Sequence, residues 1–368
     1  MYDTILIRYS EIYLKSEYVK NKFENQLIEN IRLKINNPEA KIKKGRHRIY
    51  VKTKNIEKHT KSISKIYGIK SLSPVKETES EIKNLTQEVL KYASNVIKKE
   101  NAFACRVSRS KDYPLKSKKI EEKLGAIILE HINCHVNLEH PDTTIYVEIR
   151  GKKAYIYDKI INGVGGLPYK TQGKLIALIS EGIDSPIAAW MMMKRGCEII
   201  ALHYGSSQDY LKVLKKLEKY SVHEIKSILI PWDKTLMKIQ EKAGKYTCVL
   251  CKRMMLRIAE EIALKEGAQG IITGENIGQA ATQTIYNLRV IDEAVNLPVY
   301  RPLAGFDKQE IIEKARIIET YMLLKPGSCG YVPSKPSTRA DIIKIKKIEQ
   351  KLKPDELVNQ LMKECEIK

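Results

Sequence analysis

The chain has 368 residues, 43% of them hydrophobic, which points to two or three folded domains. Lys and Arg number 65 against 44 Asp and Glu, and the formal charge of +21 indicates a polyanionic partner; a heat-adapted composition would explain many charges but not their one-sided sign. No apolar run approaches the length needed to span a bilayer, and seven cysteines, few and odd in number, exclude a disulfide scaffold.

Met1 to Ser10 reads as a polar-punctuated strand and not a signal sequence, which places the protein in the cytoplasm. Ile5, Ile7 and Tyr9 alternate as in a half-buried strand, and a helix follows from Glu17 to Ile35. Lys41 to Lys54, KIKKGRHRIYVKTK, carries seven basic residues and no acid. A strand with Ile49 and Val51 inward would set Arg46, Arg48 and Lys52 on the opposite face, as a nucleic-acid contact or as an ordinary charged edge. The first domain is read as residues 1–58.

Residues 59–166 mix helices and strands again, with a helix over Leu85–Ile97, a strand over Phe103–Val107 and a hairpin made by Thr144–Ile149 and Lys153–Tyr157 around Gly151. Arg106, Arg109, Lys111, Lys116, Lys118 and Lys119 cluster about Tyr113. The glycine-rich GVGGLPYKTQGK, Gly163 to Lys174, marks a domain boundary. From there short apolar strands alternate with helices: Leu175–Ile179, Ile187–Lys194, Glu198–His203, Tyr210–Tyr220, Ser227–Ile230, Met254–Lys265 and Gly270–Thr273. This predicts an α/β domain over 167–368 with a doubly wound parallel sheet, its site lined by the loops after Ile179, His203 and Thr273.

LIALISEGIDSP runs from a buried strand into a helix, with Ser180, Gly182, Asp184 and Ser185 in the turn. Small residues, backbone N–H groups and a helix N-terminus suit a phosphate, although the turn lacks the GKS of a Walker loop, so γ-phosphate transfer is not implied.

S-x-G-x-D-S-P after an apolar strand resembles the pyrophosphate (PP) loop of ATP pyrophosphatases, which cleave ATP between the α and β phosphates and adenylate a carbonyl oxygen. More narrowly, the chain resembles the tRNA 4-thiouridine synthetases. RYSEIYLKS at Arg8–Ser16 is similar to their N-terminal signature, and SRSKDYPLKS and GVGGLPYKTQGK to their RNA-binding THUMP domain and its exit linker. SEGIDSPIAAWMMMKRG, LCKRMMLRIAE, ITGENIGQAATQT and RPLAGFDKQEI follow in the family's order. The resemblance implies an N-terminal ferredoxin-like α+β domain, a THUMP α/β domain and a PP-loop domain. It also implies contact with tRNA through Arg46, Arg48, Lys52, Arg109, Lys111 and Lys116.

By the same resemblance Leu178 and Ile179 meet the adenine, His203 and Tyr204 flank the nucleotide, and Ser180, Gly182 and Ser185 take its phosphates. Lys252, Gly274 and Gln283 match further ATP contacts. Asp184 is expected to act through Mg²⁺ or phosphate geometry, and Lys308 to stabilise charge on the transferring adenylyl group. The family's loop usually has two glycines; the first is Glu181 here, whose carboxylate is expected either to point away into solvent or to help hold Mg²⁺. The chain is also expected to do without the C-terminal rhodanese domain of some bacterial members.

Cys248 and Cys251 form C-x-x-C just before a helix, a placement that favours thiolates, and Cys329 lies in the Gly- and Pro-rich KPGSCGYVPSKPS. The residues alone leave open a redox dithiol, a zinc site or inert cysteines. The resemblance implies either a [4Fe-4S] cluster on the three thiols with one iron open, or a sulfur relay through Cys329. Cys105, Cys134, Cys197 and Cys365 read as structural.

The expected function is ATP-dependent replacement of O4 of a tRNA uridine, at position 8 by resemblance, with sulfur from sulfide or a cysteine desulfurase. The alternatives are sulfur transfer to a carrier protein for thiamine thiazole synthesis and a non-catalytic tRNA-binding protein. The reading leaves open a homodimer in which the N-terminal region of one subunit serves the other.

Overall fold

The computed structural model describes residues 2–323 and 329–367. Two compact units divide it, one running up to Lys20 and again over Ile31–Gly165, the other comprising Asn21–Asn30 and everything from Gly166 onward. Among the described residues no helix is long and apolar enough to cross a membrane.

The first unit is built on a nine-stranded sheet. In chain order its strands are β1 (Thr4–Tyr9), β2 (Lys41–Gly45), β3 (Arg48–Lys52), β4 (Ile69–Glu79), β5 (Ala102–Arg109), β6 (His135–Val136), β7 (Thr143–Arg150), β8 (Lys153–Tyr157) and β9 (Ile161–Asn162). Their spatial order is β2-β3-β1-β4-β8-β7-β5-β6, with β9 on β4. Of the helices, α1 (Glu17–Ile35) gives its middle, Asn21–Asn30, to the second unit, and α2 (Ile56–Ile63), α3 (Ile82–Val96) and α4 (Ser117–His131) belong to the first. The eleven-residue β4 joins the two halves of the sheet: it pairs with β1 as far as Val75 and with β8 from Lys76 on. Leu6, Tyr50, Val75, Tyr155 and Tyr157 pack together where the halves meet, and Tyr50 stacks on Tyr155 at 4.6 Å.

That packing corrects two expectations. β1 is not half-buried: Leu6 is as fully buried as Ile5 and Ile7, because β1 is an interior strand between β3 and β4. β3 is not a one-sided edge either; Ile49, Tyr50 and Val51 are all buried, and Arg46 sits in the turn joining β2 to β3. The expected hairpin is present as β7 and β8, its turn passing through Gly151 at φ +59°, a left-handed conformation that suits glycine.

The second unit carries a parallel sheet of β10 (Lys174–Leu178), β11 (Glu198–Tyr204), β12 (Ser227–Ile230), β13 (Ile271–Ile272) and β14 (Val299–Tyr300), in the order β14-β13-β10-β11-β12. A short antiparallel β15 (Glu366–Ile367) closes one edge against β12. Its helices are α5 (Asp184–Lys194), α6 (Tyr210–Leu217), α7 (Asp233–Ala243), α8 (Thr247–Glu266), α9 (Ile285–Asp292), α10 (Lys308–Ile317), α11 (Ile342–Leu352) and α12 (Pro354–Glu364). The winding runs outward from β10 in both directions, to β11 and β12 on one side and to β13 and β14 on the other. The switch point therefore lies at the carboxyl end of β10, where open α/β sheets bind ligands.

Arg253 on α8 is wholly buried and grips Glu349 of α11 with two prongs, Nε to Oε1 at 3.0 Å and Nη2 to Oε2 at 2.7 Å. This fork ties the C-terminal helices to the middle of the unit.

Candidate active site and nucleic-acid interface

At that switch point a cleft of about 280 Å³ opens. All eleven residues expected to surround a nucleotide line it: Leu178, Ile179, Ser180, Gly182, Asp184, Ser185, His203, Tyr204, Lys252, Gly274 and Gln283. Met255, Leu256 and Ile291 add apolar wall. Two serines hold the turn: Ser180 N–H donates to Ser185 Oγ at 2.8 Å, the hydroxyls of Ser180 and Ser185 are 3.0 Å apart, and Gly182 N–H donates to Ser180 Oγ at 3.2 Å. The end of β13 presses on this turn from the other side. A Cβ on Gly274 would lie 2.6 Å from Ser185 N and 2.8 Å from its Cα, so only glycine fits.

Asp184 opens α5, and its Oδ1 accepts a 2.9 Å bond from Lys308 Nζ. Lys308 itself begins α10 behind the N-cap Asp307, which forms a reciprocal capping box with Glu310. A surface lysine at a helix start has thus become the partner of the turn's carboxylate.

Sequence reasoning missed the group that holds Lys252. Glu275 is buried and accepts from Lys252 Nζ at 2.6 Å, from Arg301 Nε at 2.8 Å and from Thr273 Oγ1 at 3.1 Å. Arg301 passes on to Asp292. Burial pushes the Glu275 carboxyl up, but the two cations outweigh it and hold its pKa below the ordinary value. Both residues lie inside segments singled out above, ITGEN and RPLAGF; an acid just past a strand-end glycine was the available signal.

His203 Nδ1 lies 2.8 Å from the carbonyl of Ile179, so Nδ1 carries the proton. Its ring stacks on Tyr210 at 4.2 Å. Burial lowers its pKa, against that hydrogen bond and the charge of Glu181. Glu181 is half-buried rather than turned fully to solvent. Its Oε1 is buried without a hydrogen-bond partner and its charge reaches His203; the tie from His203 to Ile179 brings the start of the turn against the end of β11, and Glu181 with it. Gln283 Oε1 and the Tyr210 hydroxyl are likewise buried without partners. Of these, Gln283 lines the cleft, where its unpaired amide oxygen faces a space that a ligand donor can fill.

Cys248 and Cys251 are the second and fifth residues of α8 rather than lying before it. The helix end does not produce thiolates: burial pushes Cys251 up to about 12, and burial together with the charge of Cys329 raises Cys248. Lys252 lowers both but does not prevail. Cys329 is exposed. Cys248 and Cys251 both feel the charge of Cys329, yet among the described residues no three His, Cys, Asp or Glu side chains stand at metal-ligating spacing. Lys325 to Ser328 of the same loop lie outside the described residues.

The strand of chain after Cys329 is firmly tied. Ser337 N–H donates to the Lys245 carbonyl at 3.0 Å, Thr284 Oγ1 to Thr338 at 2.6 Å, and the buried Asn287 amide to Ser337 at 2.8 Å. These bonds fasten the cysteine-bearing loop to the approach of α8 and to the helix after Gln283. Cys251 in turn neighbours Tyr204 of the cleft, whose hydroxyl pKa its charge helps to raise. Burial raises Cys105, to about 12, and also Cys134 and Cys197, in keeping with packed, unreactive thiols.

In the first unit Arg46, Arg48, Arg109 and Lys111 line one surface groove together with Arg150. Lys52 and Lys116 are exposed but do not line it. Arg109 is partly spent on its own loop, Nη1 donating to the carbonyls of Ser110, Lys111 and Tyr113 at 3.0, 2.9 and 3.2 Å. Arg8 and Glu148, which sequence reasoning did not select, adjoin this surface.

An open parallel sheet with a serine-laced turn and a helix N-terminus at its switch point defines a nucleotide-binding α/β enzyme, here on one chain with a basic α+β unit. Residues 170–353 match the family described as Thiamine biosynthesis protein (ThiI), residues 4–73 the ThiI ferredoxin-like domain and residues 76–158 the THUMP domain. The chain belongs to the ThiI family. A protein of Methanocaldococcus jannaschii named "Probable tRNA sulfurtransferase" is 38% identical over 95% of this chain and 97% of its own length. A Methanobrevibacter smithii protein of the same name is 35% identical over 94% of each. A solved 4-thiouridine synthetase–RNA complex with bound ATP superposes with TM-score 0.90 at 30% identity, covering 100% of this chain and 99% of its own. PH1313 from Pyrococcus horikoshii superposes with TM-score 0.68 at 26% identity, over 86% of this chain and 99% of its own.

Proposed function

We propose that the chain is an ATP-dependent tRNA sulfurtransferase that adenylates O4 of a uridine, at position 8 of tRNA, and replaces that oxygen with sulfur to give 4-thiouridine. The observation that carries this reading is the single cleft at the sheet's switch point, lined by every residue expected around ATP. Apolar Leu178, Ile179 and Met255 suit the adenine, and the Ser180–Ser185 turn suits the phosphates. Lys252, held by Glu275, and Lys308, held by Asp184, would neutralise charge on the transferring adenylyl group. Asp184 is also the carboxylate that would meet Mg²⁺ accompanying the triphosphate.

In the first step uridine O4 attacks the α-phosphorus, pyrophosphate leaves and N3 gives up its proton. In the second, hydrosulfide attacks C4, AMP departs with the original oxygen, and a proton returns to N3. The net reaction consumes ATP and sulfide and yields AMP and pyrophosphate. Cys248, Cys251 and Cys329 are the donors the family resemblance offers for a [4Fe-4S] cluster and thiols are the right ligand type, but the described side chains do not stand at ligating spacing, and no step here depends on a cluster. The exposed Cys329 is the thiol that a desulfurase or free sulfide reaches first.

Purified protein incubated anaerobically with ATP, Mg²⁺, tRNA and sulfide is expected to form 4-thiouridine and release AMP and pyrophosphate in equal amounts. No thionucleoside under these conditions refutes the reading. A second reading, sulfur transfer for thiamine synthesis, is favoured by the matched family's description. A thiamine requirement in a deletion strain supports it.

A further inference from the structure

We propose that Glu148 is a positioning residue for RNA phosphates, holding arginines from both halves of the nine-stranded sheet as one fixed clamp; the proposal rests on the tRNA reading above. Glu148 stands on β7 with only 2% of its side chain exposed. Its Oε1 accepts from Arg48 Nε at 2.8 Å and from Arg150 Nε at 2.9 Å, and its Oε2 lies 3.7 Å from Arg8 Nη2. Arg8 comes from β1 and Arg48 from β3, in the first half of the sheet; Glu148 and Arg150 come from β7, in the second. One carboxylate therefore gathers three guanidinium groups, and the cluster keeps a net positive charge.

The mode of contact separates this cluster from a structural ion pair. Arg253 spends a two-pronged fork on Glu349 and is fully buried. Arg48 and Arg150 touch Glu148 through Nε alone and stay 20% and 34% exposed. Arg48 Nη1 donates to the His47 carbonyl at 2.8 Å, so its Nη2 and the outer nitrogens of Arg150 are the ones turned to a phosphate. Arg8 is held from the inside. Its Nη1 donates to Ser73 Oγ at 3.0 Å and its guanidinium lies over the Tyr157 ring at 4.9 Å, while Nη2 is buried and makes no hydrogen bond. The anion nearest that buried nitrogen is Glu148 Oε2 at 3.7 Å, so Arg8 anchors the cluster from within and leaves the outer edges of Arg48 and Arg150 to meet the phosphate.

The surroundings favour that anion. Arg8, His47, Arg48 and Lys70 line a depression of about 460 Å³, and His47 and Arg48 also line the neighbouring groove with Arg46, Arg109 and Arg150. A continuous basic track thus crosses the join between the ferredoxin-like and THUMP portions. An RNA backbone, with phosphates at regular spacing, fits such a track.

The test turns on sign. If Glu148 were only a counter-charge, Glu148→Gln would make the groove more positive and tighten RNA binding. As a positioning residue its loss lets the three guanidinium groups scatter. The expected result for E148Q is about tenfold weaker tRNA binding, a log K against log salt slope shallower by roughly one, and a raised KM for tRNA with kcat unchanged. Equal or tighter binding overturns the proposal. Should E148Q not fold, Arg8→Lys keeps the charge but removes the fork; severalfold weaker tRNA binding is expected, and wild-type affinity overturns the proposal. A wild-type protein that binds no tRNA would instead refute the functional reading itself.

Discussion

Lys308 and Asp184 lie 124 residues apart in sequence, and the tertiary fold joins them by a 2.9 Å hydrogen bond at the lip of the nucleotide cleft. The lysine starts one helix and the aspartate another, so two helix N-termini meet at one charged pair. The pair sets Lys308 beside the serine turn that Asp184 closes.

Lys308→Ala should therefore lower kcat for adenylation about 100-fold, the usual cost of removing one preorganised donor to a developing charge. Lys308→Arg keeps the charge and should lose less. Pyrophosphate release under single turnover measures both. Wild-type kcat in the alanine variant would remove Lys308 from the mechanism.

Glu275→Gln should destabilise the second unit by about 3 kcal/mol, because it strips the shared carboxylate from Lys252 and Arg301 in a buried setting. It should also weaken ATP binding by freeing Lys252. The folded pKa of Glu275 is depressed, so its contribution is fully present above the ordinary carboxyl range, near 4.3, and is lost as pH falls through the folded value. Urea unfolding across acidic pH should show a shallower acid loss in the variant than in the wild type.

Gly274→Ala should raise the KM for ATP by roughly tenfold or more, since the new Cβ would stand 2.6 Å from Ser185 N and displace the turn or the strand. Isothermal titration with a non-hydrolysable ATP analogue reads the effect directly. Unchanged affinity would mean that the turn moves without consequence.

Brief alkylation near neutral pH, followed by peptide mapping, should label Cys329 well ahead of Cys251. Cys329 is exposed, whereas burial keeps Cys251 protonated up to about 12. Cys329→Ala should abolish 4-thiouridine formation while adenylation, followed by pyrophosphate release, continues. Loss of both activities would place Cys329 in the nucleotide site instead.

Much of this protein is written locally. Apolar runs such as Leu175–Ile179 and Glu198–His203 can only be buried strands when helices alternate with them, and strand-to-helix turns rich in Ser and Gly suit anions. Those rules located the parallel sheet and the cleft at its switch point. The ordered motifs gave the family because each keeps its residues contiguous.

What the sequence by itself determined was thus whatever depends on neighbours along the chain: strand and helix periodicity, the serine turn, the excess of positive charge. The tertiary structure decided the rest. Arg48 meets Glu148 across 100 residues and Lys252 meets Glu275 across 23, and no local pattern announces either pairing. Burial also set the direction of the Cys251 shift, against the expectation drawn from its place at a helix start. The physical reason is common to all three: charge and proton affinity depend on the dielectric and on partners in space, and both exist only once the chain has folded.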